Sequence, residues 1–264
     1  MILHWLGSED PSIGQVKLDS RRNMVVGRYG GHPEAGAYKN EDGAIVASES
    51  EWEFAMILDG HNSAESVQLV MKTMEKHWPQ LEPILNKPLS TVFRVLETSF
   101  LNIFQSQAFL EECKVVQGET ACLICVRKEN YLWWFSVGDC QVYLLHEELH
   151  RLGQYALNQR QFFEWIGQVN TFSQPVSCYS SGARELRRGQ NRIVMLTDGV
   201  LECGDRFFEN PINLYNACFE EKEITNVVTK ILQHVHAQLG RDSATIICWD
   251  YNNPLSGVYP SNQK

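Results

Sequence analysis

Three apolar runs in this chain close on an aspartate with a glycine beside it: Phe54-Ala-Met-Ile-Leu-Asp59-Gly60, Trp133-Trp-Phe-Ser-Val-Gly138-Asp139 and Ile193-Val-Met-Leu-Thr-Asp198-Gly199. A fourth aspartate, Asp242, opens the run Ala244-Thr-Ile-Ile-Cys-Trp249. Short apolar runs bounded by glycine read as buried strands, so these acids stand where strands leave a core. A carboxylate drawn out of water needs a compensating cation. Several of them at strand ends in one chain point to a shared site for divalent metal.

The elements that would position these acids follow from the pattern. Strands are expected near residues 53–58, 119–126, 131–137, 141–145, 192–197 and 244–249. Lys128-Glu-Asn130 separates two of them as a hairpin would, which favours antiparallel pairing. Helical periodicity appears in Val67, Val70, Met71, Met74 and Trp78; in Val92, Phe93, Leu96, Phe100 and Phe104; and in Ile224, Val227, Val228, Ile231, Leu232 and Val235. The first helix follows Asp59-Gly60-His61 directly, with Asn62 in place to cap it and Glu65 three residues on, as in a capping box.

Composition narrows the class. With 264 residues, 44% hydrophobic and 21% charged, the chain can bury a large core, and residues 1–264 read as a single domain with a short polar tail from about Tyr251. A net charge of −9 and no basic cluster longer than Arg187-Arg188 exclude a nucleic-acid footprint. No apolar stretch approaches the ~20 residues of a membrane span, and the opening Met1-Ile-Leu-His-Trp-Leu lacks the basic start of a secretory signal, so a cytoplasmic protein is expected. The eight cysteines fall largely in apolar runs and read as reduced core residues. Cys122 and Cys125 have knuckle spacing, but three positions apart on a strand they face opposite sides.

Taken in order, Asn40-Glu41-Asp42-Gly43, Asp59-Gly60-His61, Gly118-Glu-Thr120-Ala121, Gly138-Asp139, Thr197-Asp198-Gly199 and Gly240-Arg-Asp242-Ser-Ala-Thr245 resemble the sequence blocks of the metal-dependent Ser/Thr protein phosphatases of type 2C. The resemblance spans about residues 27–250. It implies an α+β fold: a four-layer α-β-β-α sandwich of two antiparallel sheets flanked by helices, with the site at one end of the sheets. It implies hydrolysis of phosphoserine and phosphothreonine in a protein substrate by a monomer using Mn²⁺ or Mg²⁺. On this resemblance Asp59 bridges two ions, the Gly60 carbonyl binds one, and Asp198 and Asp242 bind the other. Glu41 and Asp42 orient the waters around them, Asp139 with Asp198 holds a third ion, and His61 is the general acid.

Two positions depart from the pattern. Ala37 stands where the family has an arginine that forks onto the substrate phosphate, leaving Lys39 or Arg28 as basic residues that could reach it. Asn62-Ser63 replaces a pair of glycines. The stretch from Asp139 to Asp198 is short for the family and implies a small flap over the site. Two other readings stay open. One is a pseudophosphatase that binds a phosphoprotein without cleaving it, motivated by Ala37. The other is a zinc protease, because His146-Glu147-Glu148-Leu149-His150 matches the His-Glu-x-x-His signature, although the segment follows a strand and fits a hairpin turn.

Overall fold

The computed structural model describes residues 2–261; the last three residues of the expected tail lie outside them. In chain order the elements are β1 (Leu3–Leu6), β2 (Lys17–Arg21), β3 (Met24–Tyr29), β4 (Gly43–Ser48), β5 (Trp52–His61), α1 (Glu65–Leu85), α2 (Leu89–Phe104), α3 (Gln107–Cys113), β6 (Glu119–Lys128), β7 (Tyr131–Val137) and β8 (Gln141–Leu145). After these come α4 (Glu147–Arg151), β9 (Ile166–Gly167), β10 (Ser180–Glu185), β11 (Gly189–Leu196), α5 (Asp198–Leu201), α6 (Pro211–Glu220), α7 (Ile224–Ala237) and β12 (Ala244–Asn253). The strands form two antiparallel sheets. One runs β1-β4-β5-β6-β7-β10 with β9 also on β6, and the other runs β2-β3-β12-β11-β8.

Four layers follow from strand alternation. In β5, Phe54, Met56 and Leu58 turn to a core shared with α1, α2 and α3, while Ala55 and Ile57 turn to the other sheet. In β11, Ile193 and Met195 face that inter-sheet core, and Val194 and Leu196 face α6 and α7. Because successive side chains on a strand point to opposite faces, runs apolar throughout are what a sheet covered on both sides requires. The α-β-β-α sandwich is thus the observed architecture. Cys122 and Cys125 fall in different cores, as strand parity demands, and all eight cysteines are free.

Several strands carried weak signals. β10 (Ser-Ser-Gly-Ala-Arg-Glu) is polar and joins through backbone pairing with β7, where Gly182 lets the Trp134 ring lie against it. β12 runs on through Tyr251 to Asn253, paired with β11 as far as Gly189, so the expected tail begins as sheet. Beyond it Tyr259 donates to Glu148 and lies under the Arg187 guanidinium.

The start of α1 differs from expectation. Asn62 does not cap it: the helix begins at Glu65, whose N–H is taken by Ser63 Oγ at 3.2 Å, and the Glu65 carboxylate accepts from Gln117 N instead of turning back. Asn62 adopts a positive φ of 74°. Asparagine tolerates the left-handed region better than most residues, which explains its place where the resembling family has glycine. No helix among the described residues is long and apolar enough to cross a membrane.

Candidate metal and phosphate site

All the quoted acids meet at one end of the sandwich, because antiparallel strands deliver alternate termini there. Asp42 precedes β4, Asp59 closes β5, Asp139 lies between β7 and β8 where the chain crosses from one sheet to the other, Asp198 follows β11, and Asp242 precedes β12. Glycine makes the convergence possible at two points. A Cβ on Gly60 would run into the Glu41 backbone, and one on Gly199 would run into the Ser243 carbonyl. Each Asp-Gly pair therefore lets another acid-bearing segment pass at backbone distance.

Asp42 is the most deeply placed, 1% exposed. Its Oδ2 accepts from Thr245 Oγ1 at 2.6 Å and Thr197 Oγ1 at 3.3 Å, and Thr197 Oγ1 in turn accepts from Thr245 N at 2.9 Å. Asn40 Oδ1 holds the Asp42 N–H at 3.0 Å. One carboxylate thus ties the end of the first sheet to two strands of the second. Asp59 Oδ2 accepts from Asp198 N at 3.3 Å, and Thr120 Oγ1 fixes the Asp59 carbonyl at 2.9 Å.

The electrostatics are those of crowded anions. Burial, then the nearby charges of Asp198, Asp42 and Asp242, pushes the Asp59 carboxyl well above the usual carboxylate range. Burial is also the main cause that moves Asp42 up to about 8 and Asp198 up to about 6. Asp242 is exposed as a residue, but crowding of its carboxyl raises it by desolvation; the Ser243 N–H and the charges of His61, Lys39 and Arg241 pull it back. Among the described residues no lysine or arginine pairs with Asp42, Asp59, Asp198 or Asp242, and Asp42 Oδ1, Asp198 Oδ1 and Glu41 Oε1 are buried without a partner. Oxygen-only ligands with unmet lone pairs fit Mg²⁺ or Mn²⁺. Among the described residues no group of three or more histidines, cysteines, aspartates or glutamates is drawn close enough to hold a metal ion as it stands.

His61 is exposed at the end of β5 and its ring stacks on Trp165 at 5.7 Å between centroids. A cleft of about 460 Å³ opens beside Asp242, lined by Ala37, Lys39, Glu41, Arg241 and Ser243. Lys39 Nζ lies 2.7 Å from Glu41 Oε2 and donates to the Asn62 carbonyl at 3.1 Å. Arg241 shares the cleft with Ala37, and among the described residues its guanidinium has no ion pair or side-chain hydrogen bond.

Not all the expected residues are available. Arg28 is paired with Asp19 at 2.5 Å and Asp10 at 3.5 Å, lies over the Trp5 ring, and has a side chain only 11% exposed, so its charge is matched and it is no phosphate anchor. Asp139 differs from the other four acids in having a cation of its own, Arg160 at 3.7 Å. The zinc signature also fails. Residues 147–151 form the short helix α4, not a hairpin turn, and His146 is its cap: Nδ1 accepts from Glu148 N and Nε2 meets the Arg188 carbonyl. His150 bonds to Tyr155 and stacks on Tyr215 at 3.9 Å. Both nitrogens of the first histidine are engaged in structure, which leaves no pair to bind zinc.

Thr197, Thr245, Arg241, Arg160 and Trp165 went unread as site residues. The threonines had a signal, polar groups inside apolar runs and within the quoted blocks. Arg160 and Trp165 had none, since only the return of their loop brings them to the strand ends.

No protein-family model matches the chain, and no curated protein sequence does. Solved structures do. The serine/threonine phosphatase Stp1 from Staphylococcus aureus is 13% identical, with 90% of this chain matched to 94% of that one at a TM-score of 0.61. The S. agalactiae serine/threonine phosphatase is 13% identical over 96% of this chain and all of its own, at 0.59. RsbX, solved with magnesium, is 12% identical over 89% of this chain and 98% of its own, at 0.57. At such identities what is shared is the fold, over nearly the whole length of each chain.

Proposed function

We propose that the chain is a metal-dependent Ser/Thr protein phosphatase of type 2C, one catalytic domain acting as a monomer on phosphorylated protein. One observation carries this reading: four aspartates from separate strand ends converge, Asp42 Oδ1 and Asp198 Oδ1 are buried without a partner, and none of the four has a lysine or arginine at ion-pair distance among the described residues. Asp59, Asp198 and Asp242, with the Gly60 carbonyl, would hold Mn²⁺ or Mg²⁺. Two such ions supply water nucleophilic at neutral pH and offset charge on the phosphoryl group. The fold common to this chain and the solved phosphatases, and the order of the six sequence blocks, support the reading.

The chain's own residues complete the site. Lys39 and Arg241 present positive charge to the cleft beside Asp242, where a phosphate would replace part of the Glu41 and Asn62 contacts of Lys39. His61 stands exposed at the same end, able to protonate a departing seryl or threonyl oxygen. Trp165 covers one face of its ring, limiting its rotation and shielding it from water. Glu41 and Asp42 would orient neighbouring groups: Asp42 Oδ2 accepts from Thr197 and Thr245 while its backbone N–H donates to Asn40 Oδ1, and Glu41 Oε2 is paired with Lys39.

Turnover of an aryl phosphate and a phosphothreonine peptide, with and without Mn²⁺ after chelation, tests the reading. Activity that survives thorough metal removal would overturn it. Metal binding with no hydrolysis of either substrate would favour the phosphoprotein-binding alternative that Ala37 motivates.

A further inference from the structure

Asp139 is 6% exposed, and Arg160 reaches it from the loop that follows β8. Arg160 Nη2 lies 3.7 Å from Asp139 Oδ2 and 2.6 Å from Glu202 Oε1, and its Nε donates to the Asp139 carbonyl at 3.3 Å. Only 10% of the Arg160 side chain is exposed. The same loop is fastened alongside: Gln161 N donates to the Gly138 carbonyl at 3.1 Å, and the Arg160 guanidinium lies over the Phe162 ring at 4.9 Å. Arg160 is therefore held by the Asp139 and Glu202 carboxylates and by the Asp139 carbonyl.

A guanidinium keeps its charge at any pH at which a protein is folded, so this cation is permanent. A divalent ion entering at Asp139 would have to displace it, leaving Glu202 without its partner, or sit against it and be repelled. Among the described residues Asp42, Asp59, Asp198 and Asp242 have no lysine or arginine at ion-pair distance. We propose that Arg160 serves as a built-in cation for Asp139, in the place that a third divalent ion would take, so that the site binds two ions and not three. The proposal rests on the phosphatase reading and corrects its expectation of a third ion on Asp139 and Asp198.

Burial pushes the Asp139 carboxyl up, and the Arg160 charge pulls it only part of the way back.

Equilibrium dialysis against Mn²⁺, with bound metal counted per chain, tests the proposal without reference to activity. Wild type and Asp139→Asn should both bind two ions, whereas Arg160→Gln should gain a third, weaker one. That third ion should vanish in the double variant. Three ions on wild type, falling to two in Asp139→Asn, would overturn the proposal and leave the phosphatase reading standing. So would a folded Arg160→Gln that still binds two. Should Arg160→Gln not fold, the comparison of wild type with Asp139→Asn decides alone. No Mn²⁺ on any form would overturn the phosphatase reading together with this one.

Discussion

Thr245 and Asp42 stand 203 positions apart in sequence, yet Thr245 Oγ1 donates to Asp42 Oδ2 at 2.6 Å across the two sheets. Both are essentially buried, so the bond has no water to replace it. Thr245→Val keeps the shape and removes the donor. The metal-free variant should lose about 1–3 kcal/mol of stability in urea unfolding, the cost of leaving a buried polar group unpaired. The loss should be larger at pH 9, where Asp42 is ionised, than at pH 6. No loss of stability in Thr245→Val at either pH would show that this bond does not join the sheets.

The raised carboxyls set the sign of the pH dependence. Asp42 is moved up to about 8 and Asp198 up to about 6, above the usual carboxylate range, so the folded, metal-free chain keeps protons that the unfolded chain releases. Their stabilising contribution is complete below the unfolded value and is lost as pH rises through about 6 and about 8. In chelator the melting temperature should fall over that window. Mn²⁺ requires the ionised carboxylates, so its binding should release protons and tighten with pH. Calorimetric titration in buffers of different ionisation enthalpy measures the release, and a metal-free melting temperature that climbs across the window would contradict the account.

Asp59→Asn separates function from stability. The change replaces a carboxyl whose ionisation is opposed by burial and by the charges of Asp198, Asp42 and Asp242, so at alkaline pH the metal-free protein should melt higher than wild type. Stabilisation by Mn²⁺ should shrink, and turnover should fall by about two orders of magnitude or more. Near wild-type turnover in Asp59→Asn, with Asp198→Asn inactive, would move the bridging role to another acid.

On the proposed function, phosphate would bind in the cleft shared by Ala37, Lys39 and Arg241. Arg241→Ala should raise KM for an aryl phosphate by about tenfold with a smaller change in kcat, as expected from loss of one charge-assisted hydrogen bond. Ala37→Arg, entering the same cleft, should lower KM. An unchanged KM in both variants would place the phosphate elsewhere.

His61→Gln should slow phosphopeptide hydrolysis far more than aryl phosphate hydrolysis, because an aryl leaving group departs without a proton. Trp165→Ala, which frees the stacked ring, should lower kcat on the peptide while leaving the aryl rate near wild type. The same loss on both substrates in His61→Gln would make the histidine structural.

The sequence by itself determined what each acid-bearing run had to be. Apolar runs such as 54–58 and 193–196 can be satisfied only by burial on both faces, and the aspartates that end them can lie only where the strands emerge. The strand-end places of Asp59, Asp139, Asp198 and Asp242 were legible for that reason, whereas the four-layer sandwich and the part of Asp42 were implied by the family resemblance alone. The helical stripes of α1, α2 and α7 were legible from period alone. Local spacing could not say which cation each charged group would meet. Arg28 and Arg160 look alike in sequence, but the sheet edge gives one to Asp10 and Asp19 while the loop after β8 brings the other to Asp139. His146 and His150 carried a motif whose nitrogens the fold engages in a helix cap and a tyrosine contact. Electrostatic partnership depends on approach within a few ångströms of residues tens or hundreds of positions apart, and only the packed chain sets that distance.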